Sequence, residues 1–340
     1  MQTEQTEAQQ ILKEKERKAN YTIMAKKYLI VIILILMIIG LSILNPSFLR
    51  FNNILNILTQ ISIYGILSLG VFIVIVSKGI DLSVGSILAF AGIVAAAVSQ
   101  TSAAIDQVFP NVGMAPIGIT ILVALLMGGI LGAINGSLIA YFKIPAFIAT
   151  LGMFTAARGA ALMVSGGRPV SNVNPSISFF GSRLFGIIPV PVVIYATVII
   201  IIGIMMKFTS FGKSVYAIGG NIDAAKVSGI KVKRNITIIY MICGVLAGLA
   251  AIIHMGRTGG SIQPGAGMGH ELTAIAGATI GGTSHSGGVG TVWGAVVGAL
   301  ILGVLVNGFT LLGINAYVQQ IVQGVIIVAA VLLDMRKAAD

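Results

Sequence analysis

The chain has 340 residues with a formal charge of +11, is 56% hydrophobic and only 9% charged. Soluble domains carry about a quarter charged residues, so this composition excludes a pair of soluble domains and marks an integral membrane protein. The 21 basic residues are scattered between apolar blocks instead of lining one face with aromatics, which argues against nucleic acid and makes them topology signals.

From the N-terminus, residues 1–27 mix Glu14 and Glu16 with Lys13, Lys15, Arg17 and Lys18, and no small-residue cleavage site follows. They are read as a solvated cytoplasmic tail and not as a signal peptide. Ten apolar blocks follow at 28–44, 54–77, 82–99, 117–141, 145–164, 189–206, 235–253, 270–285, 289–308 and 314–333. Each is near the length a helix needs to cross a hydrocarbon core of about 30 Å. The strand alternation of a membrane barrel is missing. The fold class is therefore an all-α integral membrane protein of about ten transmembrane helices, with residues 28–335 as the membrane domain and 336–340 as a cytoplasmic end.

The eighth block is Gly-rich, short and carries Glu271, and hydropathy alone would make it a loop. Charge decides for keeping it as a broken or half-length helix. With ten spans and the N-terminus inside, sixteen basic residues fall on the cytoplasmic side, among them Lys78, Lys143, Arg336 and Lys337. Only Arg50, Arg168, Arg183 and Arg257 fall outside, and Arg158 lies within a span. Five spans on each side of the 165–188 loop suggest an inverted repeat of five plus five, echoed by Gly79–Gly85 and Gly282–Gly288.

Glycine recurs at four-residue spacing, as Gly128, Gly132 and Gly136, as Gly244 and Gly248, and as Gly290, Gly294 and Gly298. Small residues on one face let helix backbones approach closely, so tight packing is the expected role.

Enzyme chemistry has little to work with. Ser284, His285 and Ser286 form a cluster, His254 and His270 bracket an outer loop, and an intramembrane hydrolase would have to assemble a dyad across helices. Three separated histidines and the lone Cys243 give no metal-ligand spacing. Gly212-Lys213-Ser214 resembles the end of a phosphate loop, but the glycine required five positions earlier is Lys207, so the chain carries no nucleotide motif. No cofactor is expected on this chain.

Residues 207–234 form the one long polar loop between spans on the cytoplasmic side, a candidate docking surface. Within it, Asp223-Ala224-Ala225 followed by Gly229 reads as a short amphipathic helix ended by glycine, with Asn221 or Asp223 as N-cap. Small alanines would admit a partner groove, and Gly219 and Gly220 permit a sharp turn before the helix. An ordinary helix–loop connection is the alternative.

Thr209-Ser210-Phe211-Gly212-Lys213-Ser214-Val215-Tyr216-Ala217-Ile218-Gly219-Gly220-Asn221, then Ala224-Ala225 and Ser228-Gly229-Ile230, resembles the coupling loop of permease subunits of bacterial ATP-binding-cassette monosaccharide importers. Gly79-Ile80-Asp81-Leu82-Ser83-Val84-Gly85-Ser86, Pro145-Ala146-Phe147-Ile148-Ala149-Thr150-Leu151-Gly152 and the stretch Glu271 to Ser284 extend the resemblance over roughly residues 45 to 335. It implies a homodimeric permease of the ribose or galactose type in the bacterial cytoplasmic membrane, working with a cytoplasmic ATPase that holds ATP and Mg and with an extracytoplasmic sugar-binding protein. In the related docking pattern Asp223 stands at the Glu position and Gly229 at the Gly position, while the usual terminal Leu-Pro is absent.

Polar residues inside spans must face protein, water or cargo. The pathway candidates are Gln60, Asp81, Asn135 and Asn307. Asp81 is read first as a cap for the helix beginning near Leu82, and interhelical bonding competes with cargo contact at the other three. An ion-coupled secondary carrier is the alternative transport reading; Arg158, Asp81 and Glu271 are the groups it could use. A single tryptophan, Trp293, argues against a tight aromatic sugar site and for a weakly binding passage.

Overall fold

A computed structural model describes residues 30–110 and 112–339, and the predicted tail at 1–27 lies outside them. A helix stands at each of the ten apolar blocks. These are α1 (Ile30–Leu44), α2 (Phe51–Val76), α3 (Val84–Val98), α4 (Ile117–Ala140), α5 (Ala146–Ser165) and α6 (Val190–Phe208). Two short helices follow, α7 (Ser210–Gly220) and α8 (Ile222–Val227), and then α9 (Val232–Arg257), α10 (His270–Ile280), α11 (Val292–Leu311) and α12 (Ala316–Ala339). Six of these, α2, α4, α5, α6, α9 and α11, are long and apolar enough to cross a membrane by length and composition. With three shorter apolar helices beside them, they make the chain an all-α membrane protein. Strand structure among the described residues is confined to a hairpin of two-residue strands, β1 (Arg183–Leu184) and β2 (Ile188–Pro189), and two isolated bridges.

Local chemistry sets the helix starts. Pro116, Pro145 and Pro189 stand immediately before α4, α5 and α6, where a fixed φ and a missing N–H cost nothing. Thr291 caps α11 by accepting from Gly294 N at 3.0 Å. The eighth block departs from expectation at its end. Helix α10 has 11 residues and stops at Ile280, because Gly281–Gly290 turns back in a chain of tight turns. At 1.5 Å per residue it spans about 16 Å, roughly half a bilayer core.

Helix α2 is the axis of the molecule. Its apolar window is 83% buried, against 28%, 22% and 33% for α4, α5 and α6, so it is enclosed by protein while the others present apolar faces outward. Exposed Leu122, Met163 and Ile200 lie on those outward faces, and Leu36 on α1 and Val325 on α12 are exposed likewise, the arrangement expected of helices in lipid.

Contacts between helices rest on small residues. A side chain at Gly128 or Gly132 would overlap the backbone of Gly244 or Tyr240, one at Gly136 would lie 2.6 Å from Thr237 Cα, and one at Gly248 would overlap Ala124 O. The spaced glycines thus pack α4 onto α9 backbone to backbone. Gly277 with Gly298, and Gly281 with Gly294, do the same for α10 and α11.

Candidate functional site

The polar loop predicted as a docking surface is an elbow of two helices rather than one. Thr209 closes α6 by donating Oγ1 to Met205 O and opens α7 by accepting from Gly212 N at 3.2 Å. Gly212 lies against the Met205 and Met206 carbonyls, so a side chain there would push α7 off α6. Gly219 and Gly220 form the last turn of α7, where the expectation was a turn between segments. Gly219 sits against Val76 O and Gly288 N, and Gly288 N itself donates to Val76 O at 2.8 Å. Tyr216 donates its hydroxyl to Gly290 O at 3.0 Å, and burial raises this phenol above its usual range, keeping it a donor. The end of α7, the end of α2 and the turn after α10 therefore meet in one backbone junction.

Asn221 is the N-cap of α8, with Oδ1 accepting from Asp223 N and Ala224 N, both at 3.0 Å. Asp223 takes the first turn, where a carboxylate favours the helix dipole, and pairs with Lys226 at 2.8 Å in the open. At the other end Gly229 has φ +79°, Gly229 N donates to Lys226 O, and Ile230 N donates to Ala225 O, a Schellman closure. The two alanines separate. Ala225, expected on the docking face, is buried against Ile218 and Val232, so it anchors α8 to its own chain. Ala224 is exposed together with Ile222, Asp223, Lys226 and Val227, and Val227 is 91% exposed. Beside this face a cavity of about 640 Å³ is lined by Lys143, Lys226, Lys231, Lys233 and Arg234 over an apolar floor that includes Ile139 and Ile236.

The four pathway candidates are not brought together. Asp81 and Asn135 are fully buried and joined through Ser83: Asp81 Oδ1 accepts from Ser83 N at 2.8 Å and Ser83 Oγ at 2.6 Å, and Ser83 Oγ accepts from Asn135 Nδ2 at 2.9 Å. Tyr240 donates to Ile80 O alongside. Asp81 thus shapes the turn before α3, whose N-cap is Ser83, instead of capping the helix itself. Neither residue is exposed. Asn307 and Asn53 exchange reciprocal amide bonds at 3.0 Å, tying α11 to α2. Gln60, partly exposed, donates to Tyr64 OH at 3.4 Å.

That last bond leads to residues the sequence did not group. Tyr64 packs edge-on against His270 with centroids 4.7 Å apart, and His254 lies 6.5 Å from His270. Arg158 reaches over from α5 and donates Nη1 to Pro264 O and Ala266 O. Glu271 accepts from Gly269 N at 3.1 Å, and its other oxygen rests against Gly85 in the first turn of α3. Of the remaining sequence candidates, His285 Nε2 meets Thr279 Oγ1 at 2.9 Å, and that hydroxyl also donates to Ile275 O at 2.8 Å. No group of three metal-ligating side chains occurs among the described residues.

A family described as branched-chain amino acid transport system / permease component matches residues 53–331. The chain belongs to this permease family. Among similar proteins, the ribose import permease protein RbsC of Escherichia coli (strain K12) is 41% identical over 321 residues, covering 93% of this chain and 95% of that protein. The ribose import permease protein RbsC of Bacillus subtilis (strain 168) is 40% identical over 312 residues, covering 90% and 92%. The galactose/methyl galactoside import permease protein MglC of Haemophilus influenzae is 37% identical over 319 residues, covering 92% and 94%. No solved structure matches the chain. The expected kinship with ribose and galactose permeases is thus borne out, and the α7–α8 elbow and the polar cluster belong to a permease.

Proposed function

We propose that this permease forms the translocation pathway of an ATP-driven, binding-protein-dependent importer for a monosaccharide of the ribose or galactose type, in the bacterial cytoplasmic membrane. Two copies make the pathway, with ten crossings in each and both termini in the cytoplasm. A separate cytoplasmic ATPase holds ATP and Mg, and an extracytoplasmic protein delivers the sugar. The observation that carries this reading is α8: a capped, glycine-closed helix of six residues held on its own chain by Ala225 and presenting Ala224 and Val227 outward. Such a knob suits a groove in a partner. Its neighbour α7 joins the backbone junction with α2 and the turn after α10, so a push on the elbow reaches the central helix without a flexible joint.

The test is uptake of labelled ribose, galactose and xylose by cells expressing the complete transporter, with and without the binding protein and with an ATPase variant unable to hydrolyse ATP. Uptake of one of these sugars that needs both partners is the expected result. Uptake independent of ATP hydrolysis would favour an ion-coupled carrier.

A further inference from the structure

Six side chains from four helices converge beside the first turns of α3 and α10: Gln60 and Tyr64 on α2, Arg158 on α5, His254 on α9, and His270 and Glu271 on α10. Five of them are partly exposed, and Glu271, 7% exposed, closes the floor. Their hydrogen bonding is incomplete. Glu271 Oε2, Arg158 Nε and Nη2, and His270 Nδ1 are all buried and without a hydrogen-bond partner among the described residues. Buried polar atoms are nearly always paired, so four unpaired ones gathered in one cluster favour a polar occupant there.

The fixed bonds show how the free atoms are aimed. One edge of the Arg158 guanidinium is spent on two carbonyls of the 258–269 connection, which leaves the other edge free. One oxygen of Glu271 caps its own helix through Gly269 N, and the other is left beside α3, whose N-terminal dipole favours its charge. Arg158 and Glu271 lie within electrostatic range of each other without closing a direct bond. A free carboxylate oxygen accepts a hydroxyl proton, a free guanidinium edge donates to hydroxyl oxygens, and an imidazole nitrogen does either. The Tyr64 and His270 rings add flat surface for C–H groups. A neutral polyol matches this mixture. A phosphate or carboxylate would face Glu271.

We infer that the Gln60, Tyr64, Arg158, His254, His270 and Glu271 cluster is a contact site for a neutral polyhydroxylated cargo on its way through the permease. This rests on the sugar-importer reading and adds charged and ring contacts to the weakly binding passage expected from the sequence.

The experiment uses the full complex in proteoliposomes, comparing wild type with Arg158→Gln, His270→Gln and Glu271→Gln at matched reconstitution. Uptake of labelled ribose, galactose and their single-deoxy analogues is measured beside ATP hydrolysis stimulated by loaded binding protein. Each variant is expected to slow uptake roughly tenfold, the effect of losing one or two hydrogen bonds. Stimulated hydrolysis should stay within about twofold, and the defect should shrink for the analogue lacking the hydroxyl that the altered residue meets. Uptake equal to wild type in all three variants would overturn the site. So would parallel loss of uptake and hydrolysis that is the same for every sugar and analogue. If a charge-removing variant does not assemble, Tyr64→Leu, which removes the ring surface against His270 without touching a charge, is judged by the same two criteria. A wild-type complex that carries branched-chain amino acids and no sugar would sink the importer reading itself, and with it the polyol site.

Discussion

At the scale of single residues, two alanines side by side in α8 have opposite duties. Ala225 is packed inside and Ala224 faces out, so bulk placed at each should fail differently. Ala225→Trp is expected to unseat α8 from Ile218 and Val232 and lower the melting temperature of the purified permease, an overpacking cost of about 1–3 kcal/mol. Ala224→Trp should leave melting unchanged and reduce ATPase co-purification at least severalfold. Melting curves and pull-downs at equal expression check both, and full ATPase retention by Ala224→Trp would move docking elsewhere. Asp81 gives a second test. Asp81→Ala strands the buried Ser83 N–H and hydroxyl, a loss of about 1–3 kcal/mol. Stability and transport should fall together; a variant as stable as wild type that does not transport would put Asp81 in the pathway. Sequence reading went only part of the way here. The capping chemistry of Asn221 and Gly229 is local and was visible as residue type and spacing. The Asp81–Ser83–Asn135 chain and the cluster around Glu271 unite residues far apart in sequence, and nothing in a linear pattern announces which helices will face each other.

At the scale of helices, glycine placement determines which pairs can close. Helix α4 lies close on α9 because at Gly128, Gly132, Gly136, Gly244 and Gly248 a side chain would strike the facing backbone. Gly132→Val should therefore separate α4 from α9 and lower stability by about 3 kcal/mol, at the upper end for overpacking because backbone is what it strikes. Gly203→Ala on α6 meets nothing within 4 Å and is expected to be neutral. Thermal denaturation in one detergent measures both, and equal melting temperatures would show that the α4–α9 contact is not tight. The same glycines explain what the sequence concealed. Apolar block length revealed the long helices to within a few residues, but glycine's poor helix propensity hid α7. In the folded chain Gly212 and Gly219 are needed because the backbone of α7 lies directly on α6 and α2. Likewise apolar content continues past Ile280, while the hydrogen bonding has already turned back and α10 keeps the half length expected of it.

At the scale of the whole molecule, α10 decides the arrangement of the chain's ends. Under the ten-crossing topology proposed above, a completed α10 crossing leaves both termini on one side of the membrane; otherwise they part. Cys243 is buried and gives little background, so a cysteine introduced at Ala338 reports directly. The expected result is no labelling by a membrane-impermeant maleimide in intact cells and full labelling after permeabilisation. Labelling from outside would reject the eighth crossing. Either result leaves intact the distribution of burial, in which α2 sits at the centre and α4, α5 and α6 stand at the periphery.

The enclosure of α2 has a consequence for biosynthesis. The partners that cover it include α9, α10 and α11, and the ribosome must first make everything from Ser77 to Leu311. At about 5–20 residues per second, α2 waits on the order of ten seconds or more in lipid, exposed on faces that end up dry inside protein. Its hydroxyls suit that delay: Thr59 and Ser62 satisfy themselves on Leu55 O and Leu58 O within the same helix, asking nothing of neighbours not yet translated. Ser68, whose final acceptor is Ala274 O, is the group that must exchange partners when the late helices arrive.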